Sequence, residues 1–90
     1  MEKYSMIREA IMWGLLKILR GAKGQVVTFT PKRVAKMGGL STKPVTLSIV
    51  RYYLEEELGL RVWKRGRHGI RYIMTRNDHP ELWEKAKNGY

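Results

Sequence analysis

Residues 54–75 read LEEELGLRVWKRGRHGIRYIMT, and the order of apolar, basic and glycine positions in this stretch decides the fold. Leu54 and Leu58 close an apolar stripe that starts at Leu47 and Val50, and Gly59 is a helix stop. Leu60-Arg61-Val62-Trp63-Lys64 alternates apolar and basic side chains, the period-two pattern of a half-buried strand. Arg65-Gly66-Arg67-His68-Gly69 reads as a turn, and Ile70-Arg71-Tyr72-Ile73-Met74-Thr75 as the returning strand. A helix therefore leads into a hairpin with an arginine-rich tip.

Upstream, Ile7, Ile11, Leu15 and Ile18 recur at helical spacing and predict a first helix from about Tyr4 to Arg20, started near Ser5 and ended by Gly21 and Gly24. Met12, Trp13 and Leu16 fall on its other side, so this helix is apolar nearly all round and needs cover on both faces. Gln25 to Thr30 is a brief β-branched strand. Thr30-Pro31 starts a short second helix, Pro31 to Met37, which turns Val34 and Ala35 inward. Gly38-Gly39 ends it and Leu40 plugs the core. Ser41 or Thr42 caps a third helix of about Lys43 to Leu58, with Pro44 in its first turn and Val45, Ser48, Ile49, Tyr52 and Glu56 opposite the apolar stripe. Downstream, Asp78-His79-Pro80-Glu81 reads as a capping box that opens a short helix over about 79–88, carrying Leu82, Trp83 and Ala86. The class is α+β: one domain over 1–90, with a core over about 5–76 and a short C-terminal helix.

Eighteen Lys and Arg against eight Asp and Glu leave a formal charge of +10. The excess is segregated. Residues 31–53 carry five basic and no acidic side chains, residues 61–76 carry six and none, and Glu55-Glu56-Glu57 lies between them. A field of that sign attracts polyanions, nucleic acid foremost. The absence of cysteine excludes disulfides, zinc fingers and thiol catalysis. No apolar run approaches the ~18 residues that span a bilayer, and the first residues lack the layout of a signal peptide, so a cytoplasmic location is expected. Abundant Arg, Lys and Glu with little Asn and Gln would suit a thermophile, archaeal for instance. There is no P-loop, no Gly-x-Gly-x-x-Gly and no nucleophile elbow, and His79 with Glu81 and Glu84 is better read as a cap and a solvated helix surface. No catalytic, metal or cofactor site is expected, and the chain is not read as an enzyme.

The element order resembles the winged helix-turn-helix DNA-binding family over about residues 5–76. The matching residues are Thr46-Leu47-Ser48 early in the third helix, Leu54, Glu55-Glu56, and Gly59-Leu60 entering the hairpin. One departure stands out: Glu57-Leu58 adds a residue or two before Gly59. The resemblance implies a three-helix core with a β-hairpin wing, the third helix lying in the major groove of double-stranded DNA. Its face would present Val45, Thr46, Ser48, Ile49 and Tyr52, flanked by Lys43 and Arg51, with Lys43 at the helix start beside a phosphate. Lys32, Arg33 and Lys36 would follow the backbone. Lys64, Arg65, Arg67, His68 and Arg71 on the wing would reach a neighbouring groove or its phosphates. None of the outward residues at the centre of the third helix forms a bidentate pair with a base, so phosphate contacts dominate and sequence preference is modest.

A transcription regulator or a nucleoid (chromatin) factor is the leading expectation. The alternative is an RNA-binding winged-helix protein of the small ribosomal subunit, which Thr30-Pro31, Leu54-Glu55-Glu56, Tyr72-Ile73 and Thr75-Arg76 also resemble, though the usual Lys-rich tail is lacking. A protein–protein winged-helix module in a larger assembly is the third reading, and the two acid-free basic blocks argue against it. Family analogy also implies a homodimer through the terminal helices, with Met12, Trp13, Leu16, Leu82 and Trp83 at the interface. No membrane partner is expected.

Overall fold

Helix α1 (Glu2–Gly21) leads into strand β1 (Val26–Phe29), helices α2 (Pro31–Met37) and α3 (Pro44–Tyr52), strands β2 (Arg61–Gly66) and β3 (Gly69–Thr75), and helix α4 (Pro80–Asn88). A computed structural model describes residues 2–67 and 69–89 of the chain. The protein is α+β, with a three-stranded antiparallel sheet in the order β1-β3-β2.

The pleat of β3 sorts its side chains: Ile70, Tyr72 and Met74 are buried, while Arg71 is exposed. Phe29 of β1 lies opposite Tyr72 on the core side, and Thr28 lies opposite Ile73 on the outer side. The hairpin pairs through to Gly66 opposite Gly69, so Arg65 belongs to β2 rather than to the turn. Strand β2 does not keep the expected alternation. Its register slips between Val62 and Lys64, which makes Trp63 the extra residue of a bulge, and Trp63 stands 52% exposed.

Helix α2 begins as its sequence implies. The Thr30 hydroxyl accepts the Arg33 backbone N–H at 3.1 Å, a cap worth about 1 kcal/mol, and Pro31 fills the first position. At its other end Gly39 takes φ of 76°, and the backbone N–H groups of Gly39 and Leu40 return to the carbonyls of Lys36 (3.1 Å) and Ala35 (2.8 Å), the Schellman arrangement. The start of α3 differs from expectation. Neither Ser41 nor Thr42 caps it; Lys43 holds the cap position and its carbonyl accepts from Leu47 N–H at 2.9 Å. Ser41 shares a 2.7 Å hydroxyl–hydroxyl bond with Thr46 instead. The helix also ends sooner than Leu58. From Tyr53 to Glu57 the backbone widens into a π-helical turn, closed by Leu58 N–H donating to the Tyr53 carbonyl at 3.0 Å. A π-turn accommodates one extra residue without breaking the helix, so the chain continues from α3 to Gly59.

Helix α4 lies against α1 of the same chain, with Trp83 and Ala86 fully buried. It does not start on a capping box. His79 occupies the cap position without a side-chain bond, while Asp78 accepts from Arg61 Nη2 at 2.9 Å. The Trp83 indole N–H finds no acceptor among the described residues. That omission costs about 1–3 kcal/mol, less than the ~5 kcal/mol gained by removing roughly 200 Å² of indole surface from water. The surface expected to bind a second copy is thereby reduced. Leu16 and Trp83 are taken up by the chain's own core, and Met12 and Leu82 are partly buried against it, which leaves Trp13 45% exposed.

Helices α1 and α2 cross at two glycines. A Cβ on Gly14 would lie 2.3 Å from the Val34 carbonyl oxygen, and one on Gly38 would lie 2.1 Å from that of Ala10. Backbone atoms cannot swing aside, so alanine at either position forces the helices apart. Gly14→Ala is expected to lose about 2–3 kcal/mol in urea unfolding. Gly21→Ala, where a Cβ meets nothing within 4 Å, should be neutral or slightly stabilising.

Candidate nucleic-acid interface

The cations of α2 are exposed because the helix has only seven residues and turns Pro31, Val34 and Ala35 into the core, which leaves Lys32, Arg33 and Lys36 outside. From α3, Ser48 and Arg51 face the same side; from β3 comes Arg71, and from β2 Arg65. Three adjoining clefts record this convergence. The middle one, of about 370 Å³, is lined by Pro31, Pro44, Leu47 and Ile70, with Thr30, Lys32, Ser48, Arg51 and Gly69 around them. Through Thr30 and Lys32 it joins a cleft lined also by Arg33, Lys36 and Arg71. Through Arg51, Gly69 and Ile70 it joins a third that reaches Arg65 and Gly66. Six cationic side chains line this track and, among the described residues, no carboxylate does. Acids appear beyond it: the cleft on the far side of Arg51 adds Tyr52, Glu55 and Glu56.

Two residues of the acidic triplet hold the fold. Tyr72, fully buried on β3, donates its hydroxyl to Glu55 Oε2 at 2.6 Å, and Arg65 Nη2 lies 3.8 Å from Glu55 Oε1. Glu57 receives the Tyr4 hydroxyl and pairs with Arg8 at 3.3 Å, while the Arg8 guanidinium lies 5.7 and 5.6 Å from the Tyr4 and Tyr53 ring centres. The triplet thus ties the π-turn to α1 on one side and to the hairpin on the other. Burial and then the Glu55 acceptor push the Tyr72 phenol well above the ordinary tyrosine value. The hydroxyl bond to Glu57 raises Tyr4 to about 12.

Of the residues expected from sequence, the structure brings together Lys32, Arg33, Lys36, Ser48, Arg51, Arg65 and Arg71. Tyr52, 57% exposed, stands at the adjoining cleft. Lys43, Thr46, Ile49, Lys64 and Arg67 do not line the track. Thr46 and Ile49 are half-buried, Thr46 bonded to Ser41, while Lys43, Lys64 and Arg67 are exposed around it. His68 lies outside the described residues. The basic block over 61–76 is thinner than its formal charge, because Arg61 is paired with Asp78. The apolar lining by Pro31, Pro44, Leu47 and Ile70 was missed, since each of those residues already had a helix-start or core role in the sequence. Among the described residues no cluster of His, Asp and Glu could hold a metal ion, and no helix is long and apolar enough to cross a membrane.

Alkali tests the Tyr72 clasp. A phenol with a raised folded-state pKa contributes stability that is fully present below about pH 10, the unfolded value, and lost as pH rises beyond it. Unfolding free energy should therefore stay level up to about pH 10 and then fall, and Tyr72→Phe should flatten that fall at a cost of about 1 kcal/mol at neutral pH. Arg65 is 63% exposed and its pair with Glu55 is loose, so replacing Arg65 and Arg67 together by Ala should leave stability within about 0.5 kcal/mol. The same double variant should lower the salt slope of any duplex binding by about one, the share of Arg65, measured by fluorescence anisotropy.

Compared with protein-family models, with curated proteins and with solved structures, the chain matches none, and the site stands on its own geometry.

Proposed function

We propose that the chain is a nucleic-acid-binding protein of the winged helix-turn-helix kind, which grips double-stranded DNA and serves as a transcription regulator or chromatin factor. In this reading α2 and α3 are the helix-turn-helix pair, α3 enters the major groove, and the β2–β3 hairpin is the wing. The observation that carries it is the track of six cations between α2, α3 and the hairpin, free of acids among the described residues. Charges spread for solubility alone would be interspersed with acids and would not converge from four elements on one groove. The exposed face of α3 adds Val45, Ser48 and Tyr52, which can touch a thymine methyl or a base edge without forming a bidentate pair. Backbone grip with weak sequence reading follows.

Competition of duplex DNA, duplex RNA and single strands for the purified protein, at two or more salt concentrations, tests the reading. Duplex DNA is expected to win, with a log–log salt slope of about −5 or steeper, as six neutralised phosphates require. A shallow slope, or a clear win for structured RNA, would overturn it.

A further inference from the structure

We propose that the middle cleft of the cationic track takes an unpaired nucleobase, so that the preferred ligand is a DNA duplex flanked by a short single-stranded segment. The proposal rests on the nucleic-acid reading above and decides which form of nucleic acid fits.

The composition of the cleft points this way. A paired duplex presents phosphates and base edges, and its bases are stacked out of reach. A protein that reads such a surface uses cations for the phosphates and Arg, Asn or Gln for the edges. Here the cations are present, but the space they surround is lined by Pro31, Pro44, Leu47 and Ile70. Placed against a phosphate backbone, those side chains would face water and charge. A nucleotide swung out of the stack has the matching two-sided chemistry: a flat ring with apolar faces and a hydrogen-bonding edge, carried on an anionic link. Its ring can lie on the apolar lining, with Ser48 among the lining residues for its edge and Lys32 and Arg51 for its phosphates.

The size agrees. At about 370 Å³ the cleft is at the small end of ligand sites, suited to one planar group rather than to a larger cofactor. Next to it Tyr52 is 57% exposed beside Arg51, in a cleft that Glu55 and Glu56 also line, so a neighbouring base can stack on the ring and the guanidinium plane only with its phosphate held on the Arg51 side. Aromatic and apolar faces among cations, with no Asn or Gln in the lining to read an edge, are the features of sequence-tolerant binding to unpaired strands.

The test uses the full chain and four fluorescein-labelled DNAs: a blunt duplex, the same duplex with a short overhang, the same overhang built of abasic residues, and the bare single strand. The base-bearing overhang is expected to bind about tenfold more tightly than the blunt duplex, the gain being a stacked base. The abasic overhang, which carries the same phosphates, should recover little of that gain. Photocrosslinking from a halogenated uracil in the overhang should label peptides containing residues 30–32 or 44–52. Equal binding of abasic and base-bearing overhangs, or crosslinks confined to α1 and α4, would overturn the cleft assignment. So would tightest binding to the bare strand. A protein that binds the blunt duplex but ignores the overhang loses only this inference, whereas failure to bind any of the four removes the nucleic-acid reading itself.

Discussion

The hydroxyl of Tyr72 on the carboxylate of Glu55 joins the two halves of the molecule on which the candidate site depends. Tyr72 belongs to the central strand and is fully buried, packed beside Phe29 with ring centres 6.2 Å apart. A buried phenol must find an acceptor, and Glu55 supplies it from the π-turn that ends α3. The hairpin is thus tied to the end of α3, and the cleft lined by Arg51 and Arg65 lies between them. Without the π-turn, Glu55 would leave the helix in another direction and the strand would lack its partner.

That arrangement gives one carboxylate two consequences. Facing inward, Glu55 satisfies Tyr72. Facing outward, it lies 3.8 Å from Arg65 and, with Glu56, ends the cationic track on the far side of Arg51. The negative potential there is unfavourable to any polyanion, so Glu55 both bounds the cationic clefts and positions the hairpin. The second acidic partnership, Glu57 with Tyr4 and Arg8, fastens the beginning of α1 to the same turn. Helix α1 in turn meets α2 at the glycine crossing and α4 at Trp83, so the long helix braces the elements that carry the cations.

Much of this was legible in the residue pattern. Helix α2, the hairpin, the central strand with its alternating burial and the cationic residues of the track all followed from spacing and punctuation. The misses share a cause: local signals that tertiary contacts outcompeted. Asp78 looked like a cap, yet an arginine from β2 reaches it across the fold and fixes it in an ion pair. Ser41 looked like a cap, yet the Thr46 hydroxyl is within reach. For Trp83 the pattern left two covers open, the same chain or a second copy, because a helical wheel shows which side is apolar and does not show what covers it; the fold takes the first. Trp63 reads as part of an alternating strand, and only the register against β3 makes it a bulge.

The sequence by itself determined the α+β class, the order of elements and the polarity of the charge, because these depend on period, on glycine and proline and on composition, all local quantities. The tertiary structure alone decided that Tyr53–Glu57 forms a π-turn and that two of the three acids are internal partners. It also decided that six of the chain's basic residues line three clefts with shared walls, the middle one largely apolar. Those outcomes depend on which distant side chains meet. A phenol on the central strand and a carboxylate 17 positions earlier, at the end of a helix, become neighbours only when the core that both enclose has formed.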